Sequence, residues 1–149
     1  MYCFFSRLPV GVMLVAACVL AIPLRASAAE RPHHSSGNAQ FVSPTDFVGT
    51  GNATHLGSYT EVGSVAFSPT NDPAVLQIDA WSIYTAANGD QLHAVISGSL
   101  NGLTGAITAT VTYAGGTGRF ADATGSSNLK GQLLPGGAIS VVVEGTIDY

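Results

Sequence analysis

The sequence has little cysteine and few basic side chains. Its only two cysteines are Cys3 and Cys18, and five lysines and arginines stand against nine aspartates and glutamates. A chain without a basic cluster is poorly suited to bind nucleic acid or an anionic membrane surface. We therefore expect neither among its partners.

A long apolar run occurs only near the N-terminus. Arg7 precedes the uncharged stretch 8–24, and residues 26–28 (Ala-Ser-Ala) follow it in the A-x-A pattern behind which signal peptidase cleaves. Prolines and a glycine interrupt the run, and it is shorter than the roughly 20 residues that a membrane-spanning helix needs. We predict a signal peptide over 1–28, no membrane span in the mature chain, and a secreted or periplasmic protein.

A lipoprotein is the alternative for this segment. Val-Ala-Ala precedes Cys18 and resembles a lipobox, but apolar residues continue beyond Cys18, where a lipoprotein normally becomes polar. Cleavage after residue 28 removes both cysteines, so the mature chain has no disulfide and no thiol nucleophile. One domain must then be held together by its apolar core alone.

Residues 29–40 are polar and include adjacent histidines. We predict a flexible N-terminal tail over this range, followed by a single domain over 41–149. His33 and His34 have no third ligand nearby in the sequence, so we expect neither a metal site nor a cofactor.

From Phe41 onward, apolar and polar residues alternate with a period of two. Clear examples are 107–113, 129–133 and 139–147, and Gly-rich turns separate such runs. The pattern predicts an all-β domain of antiparallel strands connected as a meander. Closing into a small barrel protects the sheet edges best, so we favour a barrel over an open sandwich.

One hairpin has a readable register. A two-residue Asn88-Gly89 loop of type I′ places Trp81 opposite Ile96 on a core-facing side. We therefore expect Trp81 to line the barrel interior.

Two glycine-rich segments resemble a known family. Residues 113–125 read YAGGTGRFADATG and resemble a turn shared by plant allene oxide cyclases and dirigent proteins. Residues 51–60 (GNATHLGSYT) are similar to a phrase in secreted bacterial proteins of the allene oxide cyclase barrel-like group. The resemblance extends over about 50–149 and implies an eight-stranded antiparallel barrel. It transfers no activity, since one family guides a cyclisation and the other orients radical coupling.

The turn at 113–125 has a structural explanation. Gly115, Gly116, Gly118 and Gly125 allow backbone conformations that other residues resist, and Phe120 is placed to plug a barrel end. A phosphate-binding loop is disfavoured because no helix follows the glycines.

Two carboxylates interrupt apolar strand faces. Glu61 and Asp79 both fall on sides that otherwise look apolar, and an inward carboxylate with a raised pKa could act as a general acid or base. The blander alternative, which we favour, places both near strand ends in contact with water. Trp81, Tyr113 and His55 are the candidate ligand-binding residues.

Three functions remain open. The leading hypothesis is a non-catalytic barrel that binds a small apolar ligand or a partner surface. The others are a cyclase-like or isomerase enzyme using Glu61 or Asp79, and an adhesion or structural protein of the cell envelope. An open cavity containing either carboxylate would favour a binder or an enzyme, whereas a solidly packed barrel would favour the structural role. The oligomeric state stays open.

Overall fold

The fold is a closed eight-stranded antiparallel β-barrel. A computed structural model describes residues 30–149, so the predicted signal segment 1–28, with Cys3 and Cys18, lies outside the described residues. Each strand pairs with its neighbours in sequence, and the first strand pairs with the last. The predicted all-β meander and its closure are confirmed. The strands are β1 (Arg31–Phe41), β2 (Asp46–Ala53), β3 (Gly57–Pro69), β4 (Val75–Ala86), β5 (Gln91–Asn101), β6 (Ala106–Gly116), β7 (Thr124–Leu133) and β8 (Ala138–Asp148).

The predicted flexible tail over 29–40 is wrong. Residues 31–40 belong to β1, which pairs along one edge with β2 and along the other with β8. Ser35, for example, lies opposite both Ala53 and Val143. Before Phe41, the inward side chains of β1 are small or polar, so its alternation with outward residues is weak in the sequence. Hydrogen-bonded ladders on both edges hold this strand in place.

The register of the β4–β5 hairpin also differs from the prediction. Within loop 87–90, three residues, 87–89, form the turn between Ala86 and Asp90, and Gly89 takes the left-handed φ of 88°. The amide of Ala86 donates to the carbonyl of Asp90 over 2.9 Å, which closes the loop. Trp81 therefore lies opposite Val95 instead of Ile96. A shift of one residue turns a side chain to the other face, so Trp81 points outward and is 49% exposed.

The two ends of the barrel are built differently. At the closed end, which carries loops 54–56, 87–90 and 117–123, Leu56 is 6% exposed, and Phe120 and Ile147 are fully buried. At the open end, which carries loops 42–45, 70–74, 102–105 and 134–137, Phe67 is 39% and Leu134 44% exposed. The meander places alternate loops at opposite ends, so the two ends draw on different stretches of sequence.

Both glycine-rich motifs lie at the closed end. Gly115, Gly118 and Gly125 take φ values of 76°, 57° and 124°, where a side chain would be strained. Gly116 has no such φ, but a Cβ there would overlap the carbonyl oxygen of Gln91. This tight turn brings Phe120 over the end of the barrel, where its ring contacts that of Tyr149 with centroids 4.9 Å apart.

Candidate functional site

A cavity of about 100 Å³ lies inside the barrel. Most of its lining is apolar and comes from all eight strands. At the open end the lining side chains are partly exposed and form a mouth of four residues: Phe41, Phe67, Leu133 and Ile139. At the closed end the lining residues Leu56 and Leu92 are buried. The cavity is therefore a blind apolar pocket with one entrance.

Inward-facing glycines make room for large aromatic rings. A Cβ at Gly51 would overlap the ring of Tyr59, and one at Gly63 would overlap the ring of Phe47. Interiors of small barrels are filled by such pairing of small and large residues. Here the pairing holds Tyr59 against the wall formed by β1 and β2.

Polar side chains inside the barrel are concentrated in the half near the closed end. The hydroxyls of Ser35 and Tyr59 are 3.0 Å apart, and those of Tyr113 and Ser127 are 2.9 Å apart. Each pair satisfies buried groups that would otherwise be costly. The full set of inward polar residues is His33, Ser35, Tyr59, Glu61, Ser82, Tyr84, Tyr113 and Ser127.

Glu61 is the acidic residue of this set. It is 8% exposed and lines the cavity, and the hydroxyl of Ser82 donates to its Oε1 over 2.7 Å. Burial raises the pKa of the Glu61 carboxyl, while contacts with Ser82 and Tyr84 partly oppose that rise. The interpretation of Glu61 as a solvated carboxylate is therefore wrong, and the inward position is confirmed.

No basic side chain of residues 30–149 forms an ion pair with Glu61. The guanidinium of Arg31 stacks on Tyr149 at 4.7 Å, and that of Arg119 lies 4.9 Å from the Phe120 ring. Lys130 is exposed on the outer face of β7. All three basic side chains of the described chain therefore lie outside the cavity.

Asp79 lies exposed on the outer face of β4, so the inward alternative is wrong for it. It contacts water, as the favoured alternative expected, although within the strand rather than near its end. The hydroxyl of Ser97 on β5 donates to the Oδ1 of Asp79 over 2.8 Å. The even-numbered residues of β4, such as Ile78, Ser82 and Ala86, are the buried ones. Trp81 shares the outer face with Asp79 and does not line the cavity, which overturns its prediction as a ligand contact.

The other two residues predicted as ligand contacts lie in different places. Tyr113 lines the cavity, and burial raises its pKa to about 12, so its hydroxyl stays neutral near pH 7. His55 lies in loop 54–56 and is absent from the cavity lining. Its Nε2 donates to the carbonyl of Pro32 over 2.8 Å, and the hydroxyl of Tyr149 donates to its Nδ1 over 3.1 Å. Because both of its ring nitrogens are hydrogen-bonded, His55 connects Pro32 to Tyr149 at the closed end.

His33 lines the cavity and was not predicted as a site residue, because it falls in the range predicted to be a tail. Tyr59 and Tyr84 line the cavity too and were not predicted as site residues either. His33 is 5% exposed, and its ring lies 5.3 Å from that of Tyr113 and 5.9 Å from that of His55. Burial, aided by the neighbouring His55 and His34, lowers its pKa to about 4. Its Nδ1 is buried without a hydrogen-bond partner. The alternation of His33, Ser35 and Ala39 was the available signal.

Comparison with known proteins adds no further assignment: no protein-family model, curated protein or solved structure matches this chain significantly. Within residues 30–149, no helix is both long and apolar enough to cross a membrane. The same part of the chain holds no cluster of three histidine, cysteine, aspartate or glutamate side chains able to hold a metal ion.

Proposed function

We propose that the barrel binds a small, mainly apolar molecule in its interior. The observation that carries this proposal is the blind cavity, which has an apolar mouth at the open end and polar groups toward the closed end. Ligand sites typically combine apolar walls with a few placed polar groups, and this cavity has that composition. A purely structural barrel has no need of such a space.

The size of the cavity limits the ligand. At about 100 Å³ it is smaller than the roughly 300–1000 Å³ of sites for drug-sized molecules. An engineered apolar cavity of about 150 Å³ holds benzene, so the enclosed part of this ligand has about four to six non-hydrogen atoms. A longer chain would continue into the mouth between Phe41 and Phe67.

Binding of hexanol, a neutral probe slightly longer than the enclosed space, so that its chain reaches the mouth, tests the proposal. Isothermal titration calorimetry should give a dissociation constant in the micromolar to millimolar range, as expected of about seven non-hydrogen atoms. Ala80→Leu fills the cavity, because Ala80 lines it, and should abolish binding. Ala66→Leu is the matched control, since Ala66 is exposed on the outer face of β3 and its variant should bind normally.

Two results would contradict the proposal. One is the absence of heat and of thermal stabilisation with hexanol and with hexylamine alike. The other is equal loss of hexanol binding in the Ala80 and Ala66 variants, which would place the probe on the surface.

Acid–base catalysis in the same cavity is the second candidate. It is favoured by Glu61, whose carboxyl is buried in an apolar cavity beside Tyr84 and has a raised pKa. A carboxyl group with a raised pKa can act as the general acid or base that an isomerase or cyclase requires. Once a substrate is found, unchanged turnover in Glu61→Gln would eliminate it.

A further inference from the structure

We infer that the ligand is a small apolar amine whose ammonium group binds against Glu61. The inference rests on the proposed function and names the chemical class of ligand that the cavity takes. Two features toward the closed end carry it: a carboxylate without an ion pair, and the tyrosine rings around it.

The unpaired carboxylate comes first. A buried carboxylate is costly unless it is protonated or paired with a cation. Within residues 30–149, Glu61 receives a hydrogen bond from Ser82 but no ion pair, and the basic side chains lie on the outer surface or at the closed end. A cation that completes this site has to come from a ligand.

Tyrosine rings border the same position. Tyr84 lies directly opposite Glu61 in the β3–β4 ladder, and Tyr59 is the preceding inward residue of β3. The rings of Tyr59 and Tyr84 meet edge to face with centroids 5.3 Å apart. Aromatic faces attract ammonium groups, most strongly where water is excluded. Carboxylate and rings together form a cation-binding surface.

The remaining oxygen of Glu61 faces a glycine. A Cβ at Gly49 would lie 3.0 Å from Oε2, and Gly49 is the residue opposite Glu61 in the β2–β3 ladder. The missing side chain lets Oε2 pack against the backbone of β2, whereas Oε1 accepts the Ser82 hydroxyl. Each carboxylate oxygen has a second lone pair, so an ammonium group with three donors can still use this carboxylate as an acceptor from the cavity side.

The rest of the ligand must be apolar. The walls between Glu61 and the mouth are apolar side chains such as Val65, Ile96 and Leu100, so a hydrophilic amine would lose its hydration without replacement. The chain carries three basic against nine acidic side chains in residues 30–149, and this negative field attracts cations. A fatty acid would instead meet Glu61 with like charge.

Three probes of equal length test the inference by calorimetry: hexylamine, hexanol and hexanoate. We expect hexylamine to bind at least about tenfold more tightly than hexanol, and hexanoate not to bind. The amine requires ionised Glu61, so its affinity should fall about tenfold for each pH unit below the pKa of Glu61. Hexanol affinity should change little over the same range.

Variants locate the effect. Glu61→Gln should weaken hexylamine binding about 30-fold or more and hexanol binding less than about threefold. Asp79→Asn removes an equal charge from the outer face and should leave both affinities unchanged. If the Glu61 variant does not fold, the pH dependence of the wild-type protein decides between amine and alcohol.

The outcomes separate the two proposals. Hexanol binding as tightly as hexylamine, with the same pH dependence, would overturn the amine inference and leave a neutral-ligand barrel. Absence of binding by all three probes would overturn the proposed function as well.

Discussion

The two ends of this barrel are built from the same strands, but their loops cover the interior to different extents. At the closed end, Phe120 and Ile147 are fully buried under a tight glycine turn. At the open end, Phe67 and Leu134 remain more than a third exposed, and the loops do not fold over them. The comparison shows that closure is not a general property of the barrel. It is produced locally by loops that return a side chain over the axis.

The side chains inside the barrel also differ between the closed end and the open end. Buried polar groups such as Tyr59 and Tyr113 lie toward the closed end, where Ser35 and Ser127 supply hydrogen-bond partners. Toward the mouth the lining is apolar and needs no partners. Water therefore reaches the apolar lining at the mouth more easily than the polar lining near the closed end, whereas proteins usually expose polar groups and bury apolar ones. An apolar lining that is open to water suits the cavity to an apolar ligand.

Removal of the Phe120 ring, which covers the closed end, should have the largest effect on the difference between the two ends. Phe120→Ala deletes a fully buried ring and should lower the free energy of unfolding by about 3–5 kcal/mol. Phe67→Ala, at the mouth, should lower it by about 1 kcal/mol or less, since Phe67 is 39% exposed. Urea denaturation of both variants measures the difference. Equal losses would show that the ends are not energetically distinct.

The pH dependence of stability should report on the closed end. The pKa of His33 falls from 6.5 to about 4 on folding. Between these values the unfolded chain binds the proton and the folded chain does not, so stability is complete above pH 6.5 and lost as the pH falls toward 4. The loss is at most about 3 kcal/mol, and smaller where water screens the ring. Glu61, with its raised pKa, acts in the opposite direction.

Urea denaturation of two histidine variants at several pH values tests the contribution of His33 to this pH dependence. His33→Phe should flatten the loss between pH 6.5 and 4, because it removes the buried titrating ring. His34→Gln, on the exposed face of β1 beside Glu144, should retain most of the wild-type slope. The idea fails if the two variants show the same pH dependence.

The smallest of the three effects compares two glycines that both lack a left-handed φ. Gly116→Ala, at the closed end, forces a Cβ into the carbonyl of Gln91 and should cost about 1–3 kcal/mol. Gly102→Ala, at the open end, meets its nearest atom at 3.6 Å and should change stability by no more than about 0.5 kcal/mol. Thermal or urea unfolding distinguishes the two. A costly change at Gly102 would show that the open-end loops are as tightly built.

Some elements were predictable because a single strand contains the whole signal. The alternation over 107–113, 129–133 and 139–147 gives inward Val111, Leu129 and Val143, and these residues are buried as expected. The strand β1 was not predictable in the same way. Its inward residues His33 and Ser35 are polar, and only the ladders to β2 and β8 stabilise them inside.

The candidate site depended on registers that the sequence left undecided. Glu61 and Asp79 appeared equivalent, yet one lies in the cavity and the other on the outer wall. The three-residue turn at 87–89 and the pairing of β4 with β3 decide which face of β4 is inside. A one-residue change in a turn reverses every side chain that follows it, so local patterns alone could not distinguish the two carboxylates.

The sequence by itself determined an all-β meander, its glycine turns and the alternation of most strands, because these depend on neighbouring residues along one chain. Only the tertiary structure decided that the N-terminal polar segment completes the barrel, that Phe120 closes one end, and that Glu61 is enclosed without a cationic partner among residues 30–149. Burial and ion pairing are properties of side chains brought together from distant positions, and closure of the sheet is what brings them together.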